Sequence, residues 1–177
     1  SGALAQGSGW RAPAEENRHD ATFMQWPVSR EVHPDPVFLD ILQGAIADIA
    51  NTIAEFEPVI MLMPQGAIAH AGRLLSGDIE IWDIPTDDLW ARDSGPVFVT
   101  DGAGHRAVTG FNFNGWGGKQ THVNDGQIAR RVADRMGLQF LDSGVVGEAG
   151  GLEHDGAGMV MAHDSSWIND NRNPGMS

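Results

Sequence analysis

Apolar and polar positions along this chain follow two alternating rhythms. "ATFMQWP" (residues 21–27) is a short apolar run ended by Pro27, which predicts a strand. Pro36 stands where the first turn of a helix accepts proline. Val37, Ile41, Leu42, Ala45, Ile46, Ile49 and Ile53 follow at helical spacing, so residues 36–55 are predicted to form a helix with that stripe buried. "PVIMLMP" (58–64), a continuous apolar run between prolines, predicts a buried strand. Residues 66–75 read as a second helix stopped near Gly77, and "IEIWDI" (79–84) as a third strand.

A polar loop, "TDDLWARDSGP" (86–96), precedes "PVFVTDGAGHRAVTGFNF". There Asp101-Gly102-Ala103-Gly104 lies between two β-rich runs, the signature of a hairpin. "NGWGGKQTHVNDG" is a glycine-rich loop. Asp125 is placed to cap a helix over about 126–136, which Gly137 ends. "LQFLD" is another strand, and "GLEHDGAGMVMAH" another hairpin on the same DGAG turn. The two turns begin 54 residues apart, and each follows a helix, a strand and a loop carrying an acid. Asp93 lies eight residues before the first turn and Glu148 seven before the second. This shared order predicts an α/β fold with an internal repeat. Repeats set radially about an axis would bring both acidic loops to one central pocket. The alternative is a simple open α/β sheet with hairpin excursions.

Composition narrows the function. The chain has 177 residues, 41% hydrophobic and 20% charged, which suits one globular domain with a sizeable core. A formal net charge of -13 argues against nucleic acid and anionic membranes and tolerates cationic ligands, although solubility alone also accounts for it. On hydropathy, no segment is long and apolar enough to span a membrane. Residues 1–12 read as a flexible N-terminal segment. Ala3-Leu4-Ala5 has the small-x-small pattern of a signal-peptidase site, so an exported or periplasmic protein and an ordinary floppy terminus both fit. There is no cysteine, so thiolate chemistry must come from elsewhere.

The 86–96 loop mixes three carboxylates, an arginine and a tryptophan, a combination that suits neither a packed element nor a plain solvated loop. Asp93 and Glu148 are the paired carboxylates that stand out. A carboxylate matches a guanidinium fork in charge and geometry, and Trp90, three residues from Asp93, could lay its face on the same planar cation. The plainer reading pairs Asp93 with Arg92 or another chain group and lets Trp90 merely pack the loop. Trp116, in "FNFNGWGG", is a second candidate wall or an ordinary loop anchor. Glu153-His154-Asp155 suggests a metal, but strand alternation points His154 away from its neighbours, so no metal is expected. His19, His33, His105, His122 and His163 are scattered and receive no role.

"PAEENRHDATFMQWP", "PTDDLWARDSGPVFV", "FNFNGWGG", "GEAGGLEHDGAG" and "NDNRNPG" occur in this order. Together they resemble the bacterial agmatine deiminase family, a branch of the guanidino-modifying enzymes related to peptidyl-arginine deiminases. The resemblance runs from about Pro13 to Gly175. It implies a pseudo-fivefold α/β propeller of repeated ββαβ-type units, of which residues 13–177 would be the N-terminal half. It implies no cofactor, a small guanidinium substrate and a covalent cysteine intermediate formed with the help of a histidine. It places Asp93 on the guanidinium, with Trp90 beside it, and Glu148 in support of the histidine. The family's histidine-x-aspartate pair and cysteine lie in the second half of a chain about twice this long. The expected partner is therefore a second polypeptide carrying that half, and the assembled enzyme could be a homo-oligomer. The resemblance implies a cytoplasmic enzyme, against the exported one that Ala3-Leu4-Ala5 also allows. Three positions depart from its pattern: Glu16 for tryptophan, Ala149 for glycine and Asp170 for proline.

Overall fold

The structure is a computed structural model and describes residues 9–177. It is α/β, built on three small sheets, none closed. In the first, β1 (Thr22–Gln25), β2 (Val59–Met63) and β3 (Glu80–Asp83) run parallel in that order, with Thr22 opposite Val59 and Ile60 opposite Glu80. Parallel neighbours need crossovers, and α1 (Pro36–Ala54) and the single turn α2 (Ile68–Ala71) lie in them. β2 is buried along its whole length, which is why it reads as a continuous apolar run. Met61 and Met63 pack with Trp26 against Ile46, Ala47 and Ala50 of α1. Ile60 and Leu62 pack with Trp82 against Ile128 and Val132 of α5 (Ile128–Met136), so the first sheet is clamped between its own helix and that of the next unit.

α1 starts as its sequence predicts. The Asp35 carboxylate accepts from the Val37 N–H at 2.9 Å, with Pro36 in the first turn. Its buried face is the predicted one only in part: Ile46 is buried and Leu42 and Ile53 are partly buried. Leu39, Gln43, Ile46, Ala47 and Ala50 point inward, while Val37, Ile41, Ala45 and Ile49 are exposed. Gln43 is tolerated inside because its Nε2 donates to the Pro27 carbonyl at 2.8 Å. The same two-sided apolarity corrects the hydropathy reading. At 19 residues and mean hydropathy 1.4, α1 is long and apolar enough to cross a membrane by length and composition. Here it serves as the crossover helix of a parallel sheet. The helix predicted over 66–75 is shorter: Gln65–Ala67 form a 3-10 turn, and α2 lasts to Ala71. No side chain caps its start, and Gly66 and Gly72 lower its propensity.

The second unit is a ββαβ arrangement. After the turn α3 (Ala91–Ser94), β4 (Val97–Thr100) and β5 (Arg106–Gly110) form a hairpin. The turn α4 (Gly115–Gly118) and helix α5 follow, and β6 (Gln139–Asp142) returns parallel to β5. Gly137 ends α5 at φ 65°, as its sequence predicts. Asp125 does not cap that helix. It sits in a 3-10 turn with its carboxylate turned inward, and Gln127 stands at the cap without a side-chain bond. Arg11 exchanges two backbone hydrogen bonds with Thr100, both at 2.9 Å. Residues 1–8, including Ala3-Leu4-Ala5, lie outside the described residues.

The third sheet is the hairpin of β7 (Leu152–His154) and β8 (Val160–Ala162), followed by the turn α6 (Asp164–Trp167). The two DGAG hairpins share one register, with Thr100 opposite Arg106 and His154 opposite Val160. In both, the aspartate N–H donates to the carbonyl four residues on, and its carboxylate accepts turn N–H groups.

Candidate functional site

The structure brings Asp93, Glu148, Trp90 and Trp116 to one place. The loop that carries Trp90 and Asp93 is held from below by a buried brace of aspartates. Asp125 accepts from the backbone N–H groups of Asp87 (2.7 Å) and Asp88 (3.1 Å), and Asp87 accepts in return from those of Asn124 (2.7 Å) and Asp125 (3.2 Å). Gln25, at the end of β1, joins them by donating to Asp125 at 3.3 Å and accepting from the Ser94 hydroxyl at 2.9 Å. Burial and the charges of Asp87 and Asp88 push Asp125 up to about 7, against the opposing backbone hydrogen bonds. Asp88 holds His33 and Gln120, both at 2.8 Å. A loop of surface composition is thereby made rigid, and its last turn, α3, presents Asp93.

Asp93 is half-buried, and its pKa is raised, first by burial and then by the negative charge of Glu148. The Gly150 N–H, the Arg92 charge and the Trp116 indole pull the other way. Contact with the next unit is close: a Cβ on Gly150 would lie 2.2 Å from Asp93 Oδ1. Only glycine lets the 148–151 turn approach this carboxylate. Among the described residues no ion pair reaches Asp93, and Arg92 pairs instead with Glu15 at 2.5 Å. Of the plainer reading, the pairing with Arg92 is not seen, while the Gly150 N–H and the Trp116 indole N–H are the chain groups that hydrogen-bond Asp93.

Glu148 is buried, and its carboxylate is gripped by both arms of Arg172, Nε at 3.1 Å and Nη2 at 2.8 Å. Gly147 beside it lies under the Trp167 ring, which a Cβ would meet at 2.3 Å. Trp116 is held in the left-handed region at φ 59°, a strained conformation for a bulky residue. Asn114 holds the turn by accepting from the Gly117 N–H at 2.8 Å. The Trp116 ring meets Trp90 edge-on at 6.3 Å and Phe113 edge-on at 4.9 Å. Trp90 remains 48% exposed, so it does not merely pack the loop. The result is a carboxylate without an ion-pair partner among the described residues, with tryptophans beside it and a second carboxylate, held by Arg172, close enough to be felt. That arrangement suits a small planar cation.

Arg172 is the residue that sequence reasoning missed. It lies in the quoted "NDNRNPG" segment, yet nothing in its local pattern points 24 positions back to Glu148. Among the described residues no group of histidines and acids could hold a metal ion. His154 instead accepts from the Gly156 N–H in its own turn at 3.2 Å.

This constellation sits in a recognisable frame. The chain belongs to the Porphyromonas-type peptidyl-arginine deiminase family, whose model matches residues 11–177. A relative from Streptomyces coelicolor is 38% identical over 170 residues, covering 95% of this chain and 50% of its own. Agmatine deiminase of Pseudomonas aeruginosa (strain LESB58) is 34% identical over 183 residues, covering 96% and 47%. Among solved structures, agmatine deiminase of Enterococcus faecalis superposes with a TM-score of 0.81 over 96% of this chain and 47% of its own, at 24% identity, a likeness of fold. The chain spans about half the length of the curated relatives it matches.

Proposed function

We propose that residues 13–177 form one side of the active site of an agmatine deiminase, which hydrolyses agmatine to N-carbamoylputrescine and ammonia. The observation that carries the reading is Asp93: unpaired, half-buried, walled by Trp90 and Trp116, and facing Glu148. Such a carboxylate accepts two parallel N–H bonds from a guanidinium and balances its charge, while the Trp90 face can cover the planar group. In the reaction that the resemblance implies, a thiolate forms a C–S bond to the guanidinium carbon. The C–N bond breaks and ammonia leaves with a proton from a histidine. Water then adds, the C–S bond breaks and the carbamoyl product departs. The thiolate comes from the half of the fold not represented in this sequence, since the chain has no cysteine, and the resemblance places the histidine there as well. In this reading β4, β5, α5 and β6 form one blade of a partial pseudo-fivefold propeller, and Glu148 orients the incoming histidine.

A peptidyl-arginine substrate is the second reading, favoured by the description of the matching family. Against it, Lys119 is the one cation in "FNFNGWGGK" to receive a substrate carboxylate. The test uses the protein as it occurs, with every copurifying chain identified by intact mass. Ammonia and carbamoyl product are measured from agmatine and from an N-blocked peptide that ends in arginine with a free carboxylate. Agmatine turnover is expected. Peptide turnover alone selects the second reading, and agmatine binding without turnover makes the pocket a guanidinium-binding module instead.

A further inference from the structure

We propose that Arg172 is a positioning residue of this pocket, acting through Glu148, and that residues 169–173 are the strap that aims it; this rests on the function proposed above. The Arg172 and Glu148 side chains are 10% and 9% exposed, so their forked pair is formed largely out of water. A lone carboxylate at that depth, beside the unpaired Asp93, would set two like charges against each other in one pocket. Arg172 cancels one of them. Each Glu148 oxygen accepts one N–H from the fork and keeps a second lone pair for the histidine that the proposed reaction requires.

The strap is tied on both sides. Asn173 Nδ2 donates to the carbonyls of Val146 (2.7 Å) and Trp167 (2.8 Å), and the Val146 N–H donates back to Asn173 Oδ1 at 2.9 Å. On the other side Asn114 Nδ2 donates to the Asn171 carbonyl at 2.9 Å, and a Cβ on Gly117 would lie 3.0 Å from the Asn171 Cβ. One short segment thus touches the loop that bears Glu148 and the loop that bears Trp116. A bidentate guanidinium fixes the plane of a carboxylate as well as its charge, so the expected effect is on the reacting geometry rather than on substrate capture.

The experiment compares Arg172→Met, Arg172→Lys, Glu148→Gln and Glu148→Gln/Arg172→Met in the protein as it occurs, with melting temperatures recorded. Arg172→Met is expected to lower kcat on agmatine by about 100-fold. KM should stay within about threefold, because Asp93 still binds the substrate. Arg172→Lys, which restores charge without the fork, should recover part of the loss. In the Glu148→Gln background Arg172→Met should lower kcat no further. Wild-type kcat in Arg172→Met overturns the inference, as does an equal loss in both backgrounds. Should Arg172→Met not fold, wild-type kcat in Arg172→Lys overturns it. Turnover by the unmutated protein that these variants leave unchanged sinks this inference alone, whereas no turnover by the unmutated protein sinks the proposed function and this inference with it.

Discussion

The two acid-bearing loops are built alike and finished differently. Each follows a helix and a strand, and each leads into a DGAG hairpin of the same register. The first ends on Asp93, which no ion pair among the described residues reaches. The second ends on Glu148, which Arg172 holds bidentately. The bracing differs as well: the first loop is fixed from behind by Asp87, Asp88 and Asp125, the second through its acid and through Asn173 on Val146. A similar scaffold therefore places two carboxylates within reach of each other's charge and gives only one of them an ion-pair partner among the described residues. In the proposed function the unbalanced one receives the cationic ligand and the balanced one serves as a fixed acceptor.

Exchanging each acid for its amide separates these roles. Asp93→Asn removes a charge and one acceptor from the proposed guanidinium site. Charge-assisted bonds contribute about 1.5–3 kcal/mol each, so losing two lowers kcat/KM on agmatine by roughly 10²–10⁴-fold. The same change removes repulsion from Glu148, so the melting temperature should hold or rise slightly. Glu148→Gln should do the opposite to stability. It leaves Arg172 buried without its charge partner, a loss of about 3–5 kcal/mol where burial is complete. Removing Arg172 as well should restore part of it. Calorimetry with steady-state kinetics reads both, and a clear fall in stability for Asp93→Asn would show that its charge is already balanced within the fold.

Acidity gives a finer contrast. Guanidinium binding needs ionised Asp93, and the Asp93 pKa is raised. As pH falls, agmatine binding should weaken at a higher pH than an ordinary aspartate would dictate. Glu148 is the second cause of that rise, after burial. Glu148→Gln should therefore move the acid limb of kcat/KM to lower pH without abolishing it, because burial remains. A limb that stays in place in Glu148→Gln would uncouple the two carboxylates.

What was legible in the sequence follows the range of the forces involved. Asp35 and Pro36 announce the start of α1, Gly137 the end of α5, and DGAG both hairpins, because caps and turns are settled within a few residues. The inward face of α1 was legible only in part. A helix with apolar stripes on two sides carries no mark of which one meets the sheet, and the choice falls with Gln43 reaching Pro27. Asp125 looked like a helix cap because its local sequence permits one, but its partners are Asp87, Asp88 and Gln25, the last 100 positions away. The pair Asp93 and Glu148 was found through the repeat, which carries long-range information in local form. Arg172 belongs to no repeat, and only the folded chain places it on Glu148.

The smallest expected effect belongs to Trp90. It is 48% exposed and meets Trp116 edge-on at 6.3 Å, so in the proposed function it would meet the substrate from the solvent side. Cation–π contacts at exposed positions contribute about 0.5–1 kcal/mol, so Trp90→Ala should raise KM for agmatine by roughly two- to fivefold. kcat should hardly move, because the contact is made equally to substrate and transition state. Trp90→Phe, which keeps a π face, should recover most of the affinity, and Trp90→Leu, which keeps bulk alone, should not. Stability should barely change in any of the three, since the loop is held from below by the Asp87–Asp125 brace. Equal KM values for the Phe and Leu variants would reduce Trp90 to a hydrophobic rim. A fall in kcat matching that of Asp93→Asn would place the indole among the groups that position the reacting carbon, and the division between one ligand-binding acid and one positioning acid would have to be redrawn around it.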